Sequence, residues 1–254
     1  MEQMCTSYKL VVYGCDYSAT EGKKQFVSSV FLSNLNIDND WNRFSYIPHN
    51  SNFIKGFLYP CSYTFFDDVQ DEIRKEFRFA DRIQRHAENV IRMANVHHLT
   101  NVTYVGVHVR RGDYRKAWLN AFGGAEVTME YFQKAVDFFT RKYRTIVFVL
   151  VSDDRMWCIQ NLSSRFGMYV AEEAPSPAYD MAVLANCNHT LMTYGTFGFW
   201  GAYLAGGDVV YLDKFLLTNT TFAKESFIFE KMYPARWIGI AITDTLGNSS
   251  YRNG

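Results

Sequence analysis

The hydrophobic pattern of the chain changes character at residue 102. Beyond it, runs of apolar and β-branched residues at 103–109, 145–151, 168–171, 190–193 and 208–212 read as strands. The run at 145–151, TIVFVLV, is apolar without interruption, as expected of a strand covered on both faces. Between the runs lie segments of helical spacing. In 128–143, Met129, Phe132, Val136 and Phe139 share one stripe; 154–162, 179–187 and 198–205 follow. Strand and helix alternate five times, which predicts an α/β fold on a doubly wound parallel sheet. Earlier in the chain, two amphipathic helices are predicted at 67–77 and 81–94, the first with an acidic start that suits the helix dipole. Residues 23–35 have helical spacing through Phe26, Val27, Val30, Phe31 and Leu35; 36–52 is a polar loop; 57–66 is aromatic and reads as a strand or tight turn. This organisation places an N-terminal domain at 1–101 and a ligand-binding sheet domain at 102–254.

Composition narrows the chemistry. Lys and Arg number 26 and so do Asp and Glu, so the chain lacks the basic footprint of a nucleic-acid-binding protein, and any anion site must be local. Aromatic residues at 17% fit deep packing and sugar-stacking surfaces equally. The cysteines, Cys5, Cys15, Cys61, Cys158 and Cys187, are odd in number and show no CxxC spacing, so neither a zinc nor a redox motif is expected. No run approaches the roughly 18 apolar residues of a membrane span, and the start, MEQMCTSYKLVVYGC, is too short in apolar residues for a signal-peptide core. Sequons at Asn101, Asn161, Asn188, Asn219 and Asn248 point the other way, toward the secretory lumen, although about two such triplets would arise by chance.

Parallel sheets bind ligands at the carboxyl ends of their strands, and three strand ends here carry polar clusters. VGVHVRRGDYR, 105–115, runs from apolar strand into His108, Arg110, Arg111, Gly112 and Asp113. An arginine fork matches phosphate geometry, so this is a phosphate site or a structural salt bridge. Ser152, Asp153 and Asp154 end the next strand, where carboxylates can accept from ribose or a guanine edge, or cap a helix. Gly195 and Thr196 open a helix whose free amides, with the Thr196 hydroxyl, make an anion site. Phe199, Trp200 and Tyr203 behind them are expected in the core. Asp38-Asn39-Asp40 is a D-x-D without supporting context and reads as loop composition. The RGD triplet leaves a buried strand, which argues against an adhesion motif.

HVRRGDY, SDDRMWC and DMAVLANCNHTLMTYGTFGFWGAYLAGGDVVYL, in that order and spacing, resemble the galactoside alpha-1,2-fucosyltransferase family (glycosyltransferase family 11), over about 56–242 and best over 105–212. The resemblance implies a GT-B-like fold, GDP-fucose as donor, a galactose-terminated glycan as acceptor, inversion at the fucose anomeric carbon and no metal. It implies Arg110 and Arg111 at the donor phosphates, with Arg110 foremost, and His108 and Asp113 in the donor site. Asp153 and Asp154 fall to the nucleoside, and Thr196 and Phe197 to the phosphate edge. Asp180 is placed near the site or in a structural helix start, and Asp113 is the candidate base. It also implies a Golgi location through an upstream anchor and stem, and a G-x-x-G-N motif that is not read in this chain. The donor half is therefore expected whole and the acceptor half shortened, with a non-catalytic nucleotide-sugar or glycan-binding module as the alternative.

Overall fold

The computed structural model describes residues 63, 66–115, 124–215 and 232–241. The predicted helix at 23–35, the Asp38-Asn39-Asp40 loop and most of 57–66 lie outside them. The chain divides into two compact units, 1–78 with 225–232, and 79–224 with 233–254. In the first, a 3-10 turn, Asp67–Val69, leads into α1, Gln70–Glu76. Asp71 and Glu72 at its start and Arg74 and Lys75 at its end complement the helix dipole.

The second unit is a parallel six-stranded sheet: β1 (Thr103–Val109), β2 (Ile146–Ser152), β3 (Tyr169–Val170), β4 (His189–Met192), β5 (Val209–Asp213) and β6 (Ile238–Ala241), in spatial order β3-β2-β1-β4-β5-β6. This is the α/β doubly wound architecture that the alternation predicts. Its sixth strand, IGIA, is too short to stand out from sequence; it pairs Val210 with Ile238 and Leu212 with Ile240.

Both faces of the sheet are covered, which is why β1 and β2 are mostly apolar and buried over their last five residues. On one face lie α2 (Asp81–Ala94), α5 (Pro177–Ala185) and α6 (Thr196–Ala205). There Ala87, Val90 and Ala94 pack with Val149, Val151, Ala182, Val183 and Leu184. Gly106 keeps β1 thin on this side, since a Cβ would lie 3.1 Å from Leu184 Cδ2. On the other face lies α3 (Met129–Lys142), capped by Thr128, whose hydroxyl accepts from the Tyr131 amide at 3.3 Å. Phe139 of α3 meets Phe148 of β2 edge to face, with centroids 6.4 Å apart. The helix after β2, α4, runs over 155–166: Arg155–Cys158 is α-helical, Ile159–Ser163 is a π segment, and Ser164–Phe166 completes it before Gly167 at φ 65°. The periodicity ends this helix at 162 because the π segment shifts the apolar stripe. Proline at the first position of α5 starts that helix at 177, two residues before its apolar run. Tyr203 is fully buried and Phe199 stacks on it at 5.7 Å, as expected of core aromatics. Cys158 and Cys187 are buried free thiols whose pKa burial pushes up to about 11 and about 12.

Candidate nucleotide-binding site at the sheet switch point

In this strand order the chain winds outward from β1 in one direction and from β4 in the other. The carboxyl ends of β1 and β4 therefore diverge into a crevice. The residues at that crevice are Arg110–Asp113 after β1 and Thr193–Thr196 after β4. Ser152–Asp154 after β2 lie alongside. All three polar clusters thus meet at one edge, tied by short bonds. The Arg110 amide donates to Thr193 Oγ1 at 3.0 Å, the Arg111 amide donates to Asp153 Oδ1 at 2.9 Å, and Ser152 Oγ donates to the Val109 carbonyl at 2.8 Å.

The two arginines turn in opposite directions. Arg111 is 5% exposed. Its guanidinium lies 3.6 Å from the centroid of the Trp157 ring, and its Nε reaches Asp154 Oδ2 at 3.3 Å. Asp154 Oδ1 in turn accepts from the Trp157 amide at 3.2 Å, capping α4. Of the three residues at this strand end the cap is Asp154, because Ser152 Oγ is committed to Val109 and to the Asp154 amide and Asp153 Oδ1 to the Arg111 amide. Arg111→Lys keeps the charge but loses the planar stack, so it should cost about 1–2 kcal/mol, seen as a lower melting temperature.

Arg110 keeps a third of its side chain in solvent. One nitrogen pairs with Asp113 Oδ1 at 2.7 Å and another with Asp153 Oδ2 at 3.2 Å. Gly112 makes room for the second carboxylate, since a Cβ there would lie 2.6 Å from Asp153 Oδ2. Across the crevice, Gly195 precedes α6 at φ 97°, a conformation that favours glycine. Among the described residues no side chain caps α6, so its first amides face the edge with the exposed Thr196. Tyr114 bridges the two lips. It stacks on Tyr194 at 4.9 Å, and Arg110 lies 6.0 Å from its centroid.

His108 lies beneath this edge, 4% exposed, against Phe197 at 5.3 Å and so close to α6 that a Cβ on Gly198 would fall 2.5 Å from Nδ1. Among the described residues Nδ1 has no hydrogen-bond partner. Burial first, and the Arg110 charge second, lower its pKa to about 3, so the ring is neutral. Between pH 6.5 and about 3 the unfolded chain binds a proton that the folded chain refuses. Stability is therefore complete above pH 6.5 and falls as the solution is acidified, by about 2 kcal/mol at pH 5 from this group alone. Denaturant melts of the wild type and His108→Gln across that window should differ in slope; identical slopes would mean that His108 is open to solvent.

Two residues that matter here are not among the site candidates read from the sequence. Arg155 donates to the carbonyls of Ser152, at 2.5 Å, and Ala171, at 3.0 Å, and forks onto Asp180 at 2.9 and 2.7 Å. Asp180 is therefore anchored at the start of α5, behind the β2 end. Thr193 is the other; being fully buried, it reads as part of a strand. A separate cavity of about 470 Å³ lies at the far end of the sheet, lined by Ile91, Arg92, Tyr104, Asn186 and Asn188 among others, away from Arg110 and Arg111.

An uncapped helix start and an arginine at the switch point of a doubly wound sheet give this α/β protein an edge suited to an anionic group. The Glycosyl transferase family 11 model matches residues 21–241, and the chain belongs to that family. It is 41% identical over 207 residues to a galactoside alpha-(1,2)-fucosyltransferase 2 of Rattus norvegicus, covering 80% of this chain and 58% of the relative. It is also 41% identical over 208 residues to the galactoside 2-alpha-L-fucosyltransferase Sec1 of Mus musculus, covering 80% and 56%. The chain thus spans little more than half the length of these relatives. Among solved structures, a crystal structure of POFUT1 in complex with GDP matches with a TM-score of 0.39 and 14% identity, over 55% of this chain and 48% of that one.

Proposed function

We propose that this chain carries the GDP-fucose-binding half of an inverting galactoside 2-alpha-L-fucosyltransferase of GT-B type, acting in the Golgi lumen without a metal. The observation that supports it most is the half-exposed Arg110 at the switch point, opposite the free amides of α6, in a chain similar to enzymes of that name.

In this reading Asp113 and Asp153 hold the Arg110 fork ready in the absence of donor, and the donor pyrophosphate takes the place of a carboxylate. The α6 amides and Thr196 receive the other phosphate oxygens. Arg111 acts from below: stacked on Trp157 and paired with Asp154, it supports the loop and adds positive potential. Asp153 retains lone pairs for the ribose hydroxyls, while both oxygens of Asp154 are engaged by Arg111 and the α4 cap. His108 and Phe197 pack under α6 and set its height.

The acceptor 2-hydroxyl oxygen attacks the fucose anomeric carbon from the face opposite GDP, the bond from that carbon to the phosphate oxygen breaks, and GDP leaves with the electron pair. Arg110 stabilises the charge that develops on the leaving phosphate, the part a cation must play where no metal does. The hydroxyl proton passes to a base. Asp113 is the carboxylate of the described site nearest to that role, and its pairing with Arg110 couples proton uptake to departure of the phosphate.

The test is calorimetry of GDP and GDP-fucose in EDTA, followed by transfer to a β-galactoside. Binding with transfer is the expected result. Binding without transfer would make the chain a nucleotide-sugar-binding module, and absence of binding would overturn the assignment of the site.

A further inference from the structure

Three of the sequon asparagines fall among the described residues, and their side-chain amides do different things. Asn161 lies on the π segment of α4. Its Nδ2 donates to the Trp157 carbonyl at 2.8 Å, and the hydroxyl of its sequon partner, Ser163, donates to the Met168 carbonyl at 2.8 Å. Asn188 accepts from the Tyr104 amide through its side-chain Oδ1 at 2.8 Å, its backbone amide donates to the Tyr104 carbonyl at 2.9 Å, and its sequon partner, Thr190, is 0% exposed within β4. Both asparagines belong to the fold.

Asn101 does not. It lies exposed in the turn between α2 and β1 at φ 53°, and no hydrogen bond or ion pair engages its side chain. Asparagine tolerates this left-handed backbone better than most residues, which by itself accounts for an asparagine at 101. It does not account for the hydroxyl at 103. There the strand begins, and a valine or isoleucine would serve it as well. Position matters too. Asn101 precedes the amino end of β1 and Arg110 follows its carboxyl end, with the strand between them about 20 Å long. A bulky group at Asn101 therefore leaves the crevice between β1 and β4 open.

We propose that Asn101 is an N-glycosylation site of this protein, the described sequon whose asparagine side chain takes no part in holding the fold. In the step itself, Asn101 Nδ2 attacks the anomeric carbon of a lipid-linked oligosaccharyl pyrophosphate. The carbon–nitrogen bond forms, the bond from that carbon to the pyrophosphate oxygen breaks, the lipid pyrophosphate leaves with the electron pair, and one amide proton passes to the host transferase. The inference rests on the proposed function in one respect, passage of the chain through the secretory lumen.

The experiment is secretion of the full chain behind a cleavable leader from eukaryotic cells, with glycopeptide mapping by mass spectrometry before and after an Asn-specific glycosidase. The peptide containing Asn101 should carry glycan. Asn101→Gln and Thr103→Ala should each remove it, and Thr103→Ser should retain it, which separates the modification from any effect of the strand residue. Asn101→Gln should leave GDP affinity unchanged. An unmodified Asn101 peptide overturns the proposal, whether or not another sequon is occupied. GDP calorimetry on the same material keeps the two readings apart: GDP binding with a bare Asn101 defeats only the modification site, and a glycan at Asn101 without GDP binding defeats only the donor site.

Discussion

Arg110→Ala should weaken GDP binding by about 3 kcal/mol, on the order of a hundredfold in Kd, with the fold retained. The side chain is partly exposed, so its removal leaves no cavity. Its two carboxylate partners, Asp113 and Asp153, are at the surface edge and can take water. What disappears is the planar fork aimed at the phosphates. Arg110→Lys should fall between, since an ammonium keeps the charge and loses the bidentate geometry. Calorimetry reads the affinity and circular dichroism reads the fold. Wild-type GDP affinity in a folded Arg110→Ala chain would remove Arg110 from the site and with it the proposed function.

Gly207→Ala should be the most damaging substitution among the described glycines. A Cβ at 207 would stand 1.9 Å from the Asn188 carbonyl oxygen and 2.4 Å from His189 Nδ1. Elsewhere the atoms in the way belong to side chains, and at Gly112 the obstructing Asp153 carboxylate can swing away. Here it is the backbone that leads into β4, and it cannot move without shifting the pairing of β4 with β1 and β5. The Asp208 amide also donates to His189 Nδ1 at 2.9 Å, so the same displacement breaks that bond. Overpacking against backbone should cost about 3 kcal/mol, a fall in melting temperature of roughly 6–12 °C. An unchanged melt would show that the β4 entry is looser than its geometry implies.

The general plan was legible because it is written in local periodicity. TIVFVLV could only be a strand buried on both faces, and the stripe through Met129, Phe132, Val136 and Phe139 could only be a helix lying on one. The polar clusters at 110–113, 152–154 and 195–196 were equally visible, because charge following an apolar run is a local signal. Less legible was what each residue does there. Arg110 and Arg111 are adjacent and chemically identical, yet one faces the crevice and the other is buried on Trp157. The Arg155–Asp180 pair is joined across 25 positions with no pattern to announce it.

From the sequence alone, then, came the α/β class, the parallel sheet, the strand ends that carry charge and the resemblance to the fucosyltransferases. Hydrophobic period and turn chemistry are properties of neighbouring residues. The tertiary structure alone decided the order β3-β2-β1-β4-β5-β6, and so which strand ends share the crevice. It also decided the neutrality of His108 under α6, and which arginine faces the crevice. These depend on what packs over each side chain from elsewhere in the chain, and burial of that kind sets both direction and charge state.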